Sequence, residues 1–423
     1  MSSLAPRLVV NRNFGLLWAG QAISTLGDRV FDTTLILWVA TQIASGHHWT
    51  PLAVSGVLLS VSVPTIVVGP IAGVFVDRWN TQRTMLLMDL LRAALIALLL
   101  LNIRQAQIGV QLASIYLVVA LTSTCTAFFG PARLALLGDI VPETERTRAA
   151  GRQQTTNMAG SIIGPAIAAP LFIALGVHWA LAINAASFLV SFALISLMRP
   201  PAEGHLSGPR ASVRGELGAG LRYFASNRVL VVMLMSIVLV FLGFGATTAL
   251  NIFFLRENLH APVRDFGLLS ASSGAGSVLG TLACTALARR IRPLQGFWLS
   301  LMAMGLLDLA YARTSSLIPA VVVLFLTGLP GALYHIVLNP LVLQVTPREF
   351  VGRVSAILSP AFSLASLCSV ALAGFLASTV LHGFHAAVLG LSFGPIDTLF
   401  SATGVLELLA GAVALVSVRR LSA

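Results

Sequence analysis

The sequence predicts an all-α membrane protein of about twelve transmembrane helices in two six-helix halves. Three observations carry that expectation. The chain is 57% hydrophobic and only 10% charged, with a mean hydropathy of +0.90, where a soluble protein would carry roughly 25% charged residues. Its apolar runs are long enough to cross a bilayer, for which about 20 residues suffice, and they recur along all 423 residues. One long polar connection divides those runs six and six.

The first run, about 14–43, holds charges where charges are costly: Gln21 to Asp32 reads QAISTLGDRVFD. Spacings of three and four put Gln21, Thr25, Asp28 and Asp32 in one stripe of a helix. Arg29 stands about 100° from Asp28 and about 60° from Asp32, so the three ionisable groups share a face. Lipid contact would cost such groups several kcal/mol, so the stripe faces protein or water and needs a bundle around it. The run lacks a small-residue cleavage site and reads as a retained signal-anchor.

The next runs fall at roughly 51–76, 84–103, 110–138, 148–175 and 178–198. Residues 199–227 follow as a polar cytoplasmic linker, with an amphipathic piece from Val213 to Ala225. The second half has runs at about 228–255, 264–288, 293–312, 316–345, 351–381 and 397–418. The domains expected are therefore 1–198 and 228–423, joined by 199–227. Basic clusters after the second and eighth runs give a faint trace of a parallel repeat.

The net charge of +11 resembles a nucleic-acid signal, but its placement speaks for topology. Every basic residue is Arg, and most lie in alternate connections, from Arg7 and Arg12 to Arg419 and Arg420. The opposite connections hold only Arg104, Arg256, Arg264 and Arg313, which places both termini in the cytoplasm of a bacterial inner (plasma) membrane protein. Lipids, not nucleic acid, are the partners this implies. Cys125, Cys284 and Cys368 lie in apolar segments without ligand spacing, and read as small core residues with no disulfide or metal role.

Three stretches carry a family resemblance. The second run ends GPIAGVFVDRWNTQR, where Gly73 would allow close helix contact and Asp77 would sit at the membrane surface. The fifth run holds Gly160-Ser-Ile-Ile-Gly164-Pro165, small residues for close packing with a proline that weakens one turn. LLWAGQAISTLGD (16–28), FFGPARLALLGDIVP (128–142) and PREFVGRV (347–354) complete the set. Together these resemble the major facilitator superfamily, and within it the proton-driven macrolide and siderophore exporters. The resemblance implies the major facilitator fold and a gate-stabilising role for Asp77, Arg78, Arg83, Asp139 and Arg353. It also implies an antiporter-type bend at Gly164 and Pro165. Asn80, Thr81 and Gln82 depart from the usual loop pattern, as do Ala168 and Ala169 in the fifth run, whose small-residue face is equally a generic packing surface. The usual arginine of the fourth span is missing, which shifts proton coupling onto other residues.

Asp28, Asp32 and Arg29 are the coupling candidates. Two carboxylates one turn apart with one Arg in reach can take up or lose one proton as a unit, and the alternative is a static Arg29–Asp32 salt bridge. Asp89 and Arg92, three apart, fit a local pair; Asp308 is placed near a span end, within reach of water, and Glu407 in mid-span of the last run. A substrate cavity is expected from Gln21, Trp38, Thr126, Phe129, Asn157, Thr248, Asn251, His335 and Asn339, a mixed wall suited to an amphiphilic organic molecule. The function expected is proton-coupled efflux of such a compound by a monomeric carrier without cofactor or metal. A solute symporter and a lipid or lysolipid flippase are alternatives on the same fold. An enzyme is disfavoured: no HExxH or Walker pattern is present.

Overall fold

The computed structural model describes residues 11–76, 78–101, 107–199, 222–288, 291–347, 350–388 and 391–419. Asp77 and most of the 199–227 linker lie outside the described residues. The first six long helices are α1 (Arg12–Trp38), α2 (Thr50–Val76), α3 (Thr81–Leu101), α4 (Ile108–Ile140), α5 (Arg146–Leu175) and α6 (Val177–Ser196). The second six are α7 (Arg228–Glu257), α8 (Phe266–Ala288), α9 (Pro293–Ala312), α10 (Leu317–Val345), α11 (Val351–Phe375) and α12 (Pro395–Arg419). Eleven of the described helices are long and apolar enough to cross a membrane. The exception is α1, whose apolar run is interrupted by Asp28, Arg29 and Asp32.

Local chemistry sets the helix ends. The Asn11 side chain accepts from the Phe14 amide at 2.8 Å and starts α1. Asn80 does the same for Arg83 at 2.8 Å and starts α3, and Asn227 accepts from Val229 at 3.0 Å to start α7. Gly176, at φ +78°, separates α5 from α6 in a conformation that favours glycine. Wider π-type turns, Val39–Ile43 and Leu376–Val380, extend α1 and α11. A small antiparallel hairpin, β1 (Ala386–Val388) and β2 (Leu391–Phe393), stands between α11 and α12.

The chain divides into two compact units, one within residues 1–38 and 60–207, the other within 39–59 and 208–423. In the first unit α1 packs on α5 and α6, and α3 packs on α4 and α6. In the second, α7 packs on α11 and α12, and α9 packs on α10 and α12. Each pair in the first list becomes a pair in the second when six is added, so the repeat faint in sequence is plain in packing. The α8–α10 contact is the most extensive of the second unit. Glycine allows that approach: a Cβ on Gly280 would stand 2.8 Å from the Leu329 Cα, and Gly276 and Gly328 abut each other's backbone. A Cβ on Gly73 of α2 or Gly130 of α4 would meet nothing within 4 Å among the described residues, so the close contact expected at Gly73 is absent there.

Each unit has its own apolar core. Phe14, Leu17, Met85, Phe129 and Leu136 join α1, α3 and α4 in the first, and Leu230, Phe297, Tyr334 and Leu358 join α7, α9, α10 and α11 in the second. Large apolar side chains such as Leu98, Leu117, Leu282 and Ile318 point outward, as a lipid-facing surface requires. Cys125 is buried, but Cys368 is exposed. The reading of Cys368 as a core residue is corrected: its side chain is exposed on α11.

Candidate functional site

The site is built on α1, which small residues hold close on two sides. Against α5, a Cβ on Gly160 would stand 3.3 Å from the Thr25 methyl, and one on Gly164 would collide with the Cβ of Arg29. Trp18 Nε1 donates to Thr156 Oγ1 at 2.9 Å along the same seam. Against α6, a Cβ on Gly20 would stand 3.3 Å from the Ser191 Cα, and one on Gly27 would collide with Ser187 and Asn184. The small-residue pattern of the fifth span therefore packs at the level of the charged stripe, and Pro165 sits in that turn.

Between these seams and α2, α3 and α4 lies a cavity of about 230 Å³. Asp28, Arg29 and Asp32 enter it from α1, Thr65 from α2, Arg92 from α3, Thr122, Ser123 and Thr126 from α4, and Asn184 and Phe188 from α6. Asp28 and Asp32 are half-buried and Arg29 is exposed. Among the described residues these three form no hydrogen bond or ion pair with one another, so the static Arg29–Asp32 bridge is absent. A volume below the roughly 300–1,000 Å³ of drug-sized pockets suits water and protons better than a whole amphiphile.

Arg92 is the member that sequence reasoning placed elsewhere. It pairs with fully buried Asp89 one turn away, as the spacing suggested. Its guanidinium also lies 4.4 Å from the centre of the Phe129 ring and 4.3 Å from that of Phe188. Clamped between two aromatic faces, it presents fixed positive charge to the cavity opposite the aspartates. The i, i+3 pattern revealed the pair; the clamp comes from α4 and α6 and has no local signature.

Other expected residues lie as follows. Thr126 lines the cavity and Phe129 backs Arg92. Gln21 is buried beside it, accepting from Arg133 at 3.4 Å and donating to Ser191 at 3.5 Å. Trp38 is buried at 3% exposure, away from the cavity lining. Asn157 accepts from Gln153 at 3.5 Å along α5. In the second unit Asn251 accepts from the Tyr311 hydroxyl at 2.5 Å, whereas Thr248, His335 and Asn339 are exposed. Arg78, Arg83 and Asp139 are exposed near helix ends, and Arg353 stands over the Phe350 ring at 5.1 Å. The structure thus gathers the α1 stripe with Thr126 and Phe129 in one unit.

Long helices in two six-helix repeats, with ionisable groups on a cavity inside the membrane-crossing region, define the class of secondary transporters. Residues 17–255, more than half of the chain, match the Major Facilitator Superfamily, and the chain belongs to that superfamily. It is 27% identical over 374 residues to YfiS, an uncharacterized MFS-type transporter of Bacillus subtilis (strain 168), covering 86% of each chain. It is 23% identical over 374 residues to macrolide efflux protein A of Streptococcus pyogenes, covering 87% of this chain and 90% of that one. A solved mutant of the nucleoside transporter NupG superimposes with a TM-score of 0.73 at 11% identity, over 96% of this chain and 99% of that one. The fold is the major facilitator fold, and the chain is a multi-pass membrane transporter with efflux proteins among its relatives.

Proposed function

We propose that this transporter is a proton-coupled antiporter that exports an amphiphilic, drug-like or siderophore-like organic compound by alternating access. One observation carries the reading: Asp28 and Asp32 share a small cavity with two arginines and are bound to neither. A carboxylate free of a fixed partner and open to a water-sized space can change protonation at little structural cost. A proton arriving from outside lowers substrate affinity at the pair, and its release inside resets the carrier, because coupling requires states that differ in affinity for both ligands. The similarity to macrolide efflux protein A supports the outward direction. In this reading the protein is a monomer of the bacterial inner membrane with both termini cytoplasmic. Residues 1–198 and 228–423 are its halves, and Asp77, Arg83, Asp139 and Arg353 steady its gate.

The test is proton movement in proteoliposomes carrying an entrapped pH dye, with a macrolide as first probe beside a panel of amphiphiles. Substrate addition is expected to move protons in the opposite direction, and Asp28→Asn plus Asp32→Asn to abolish that movement. Intact movement in the double variant would remove the aspartates from the mechanism. Accumulation of solute along an inward proton gradient would make the protein a symporter. Translocation of a headgroup-labelled lipid would make it a flippase.

A further inference from the structure

The second unit holds a pair of acids that the Asp28 cavity does not use. Helices α9 and α12 run antiparallel in backbone contact. A Cβ on Gly305 would stand 2.7 Å from the Gly404 carbonyl and 2.8 Å from the Leu408 amide, and one on Gly411 would stand 2.8 Å from Met302 Cγ. That register sets Asp308 of α9 and Glu407 of α12 at nearly the same level, their carboxyls near enough to act on each other. Glu407 is 2% exposed, and its Oε2 is buried with no hydrogen-bond partner. Tyr334 of α10, also 2% exposed, lies in the field of Glu407 with its hydroxyl unpartnered.

Among the described residues the neighbouring groups offer no counter-charge. Tyr311, on the same helix as Asp308, gives its hydroxyl to Asn251 of α7. Arg313, one turn further, is engaged by Asp397 at 3.1 Å, and His335 beside Tyr334 is exposed. A hydrogen bond between two carboxyls needs a donor, which only the protonated form supplies. Two ionised carboxylates in buried contact without a cation do not persist.

We propose that Asp308 and Glu407 form a second proton-binding site, holding one shared proton between α9 and α12. It gives the transporter a protonatable group in its second unit, independent of Asp28 and Asp32. The unpartnered Glu407 Oε2 is the atom on which a second proton would be received, and the Tyr334 hydroxyl remains a neutral hydrogen-bonding group.

Infrared spectra of the purified full-length protein in sodium-free buffer test this through the carbonyl stretch of a protonated carboxylic acid. The measurement is made in the Asp28→Asn plus Asp32→Asn background, so that it stands whether or not those residues couple transport. The background protein is expected to show the band at neutral pH, shifting in D2O, and further Asp308→Asn plus Glu407→Gln replacement to remove it. A band undiminished by that replacement overturns the proposal, as does loss of the band on adding sodium, which would mark a metal-cation site. The wild-type spectrum is decisive even if a variant fails to fold: no protonated carboxyl at neutral pH excludes a shared proton.

Discussion

Gly164 and Gly73 show how little a residue's identity says before its neighbours are known. Both lie in motifs that read as close-packing glycines. A Cβ at Gly164 lands on Arg29, and a Cβ at Gly73 meets nothing within 4 Å among the described residues. Gly164→Val is therefore expected to cost about 1–3 kcal/mol through overpacking against α1 and to impair transport by displacing the charged stripe. Gly73→Ala should leave stability unchanged within about 0.5 kcal/mol, or raise it slightly by helix propensity. Thermal unfolding in detergent separates the two. Arg92→Lys keeps the charge but loses the planar stack on Phe129 and Phe188. It should lower stability by about 1 kcal/mol, and an unchanged melting temperature would mean the clamp is not energetically important. The stripe of Asp28, Arg29 and Asp32 was legible because its spacing lies within one helix and its charge is costly in lipid. The Phe–Arg–Phe clamp was not, because its members lie 37 or more positions apart and meet only through packing.

Among elements, the repeat of helix contacts offset by six was nearly invisible in the residues. Packing classes depend on which helix faces touch, and many sequences satisfy the same face. Glycine placement sets how near two helices come: Gly276, Gly280 and Gly328 let α8 and α10 approach closely, whereas a Cβ on Gly73 or Gly130 would meet nothing within 4 Å among the described residues. Gly276→Leu would strike backbone, the Phe325 carbonyl and the Gly328 Cα, rather than a flexible side chain. It should reduce the yield of folded protein more than any single change on α2, as size-exclusion profiles of solubilised protein would show. Asn227 does double work at the start of α7. It caps the helix and donates to the Val345 carbonyl at 3.1 Å, tying α7 to the end of α10. Asn227→Ala is expected to cost about 1 kcal/mol or somewhat more, read as a lower melting temperature.

For the whole molecule, arginine placement yields a further test. Epitope tags at either terminus should resist external protease in intact cells and be cleaved once the membrane is opened. A tag cleaved in intact cells would reverse the orientation and, with it, the inside and outside of the proposed cycle.

The membrane class, the run of about twelve helices and the special status of the first one follow from the sequence alone. They rest on local quantities: the length of an apolar run, the three-to-four spacing of polar groups, and the cost of a charge in hydrocarbon. Tertiary structure alone decided that Arg92 faces the same cavity as Asp28, that α5 presses its glycines on that stripe, and that Asp308 meets Glu407. Each of those depends on two helices approaching at one register, and a contact between positions far apart in the chain leaves no periodic trace in either of them.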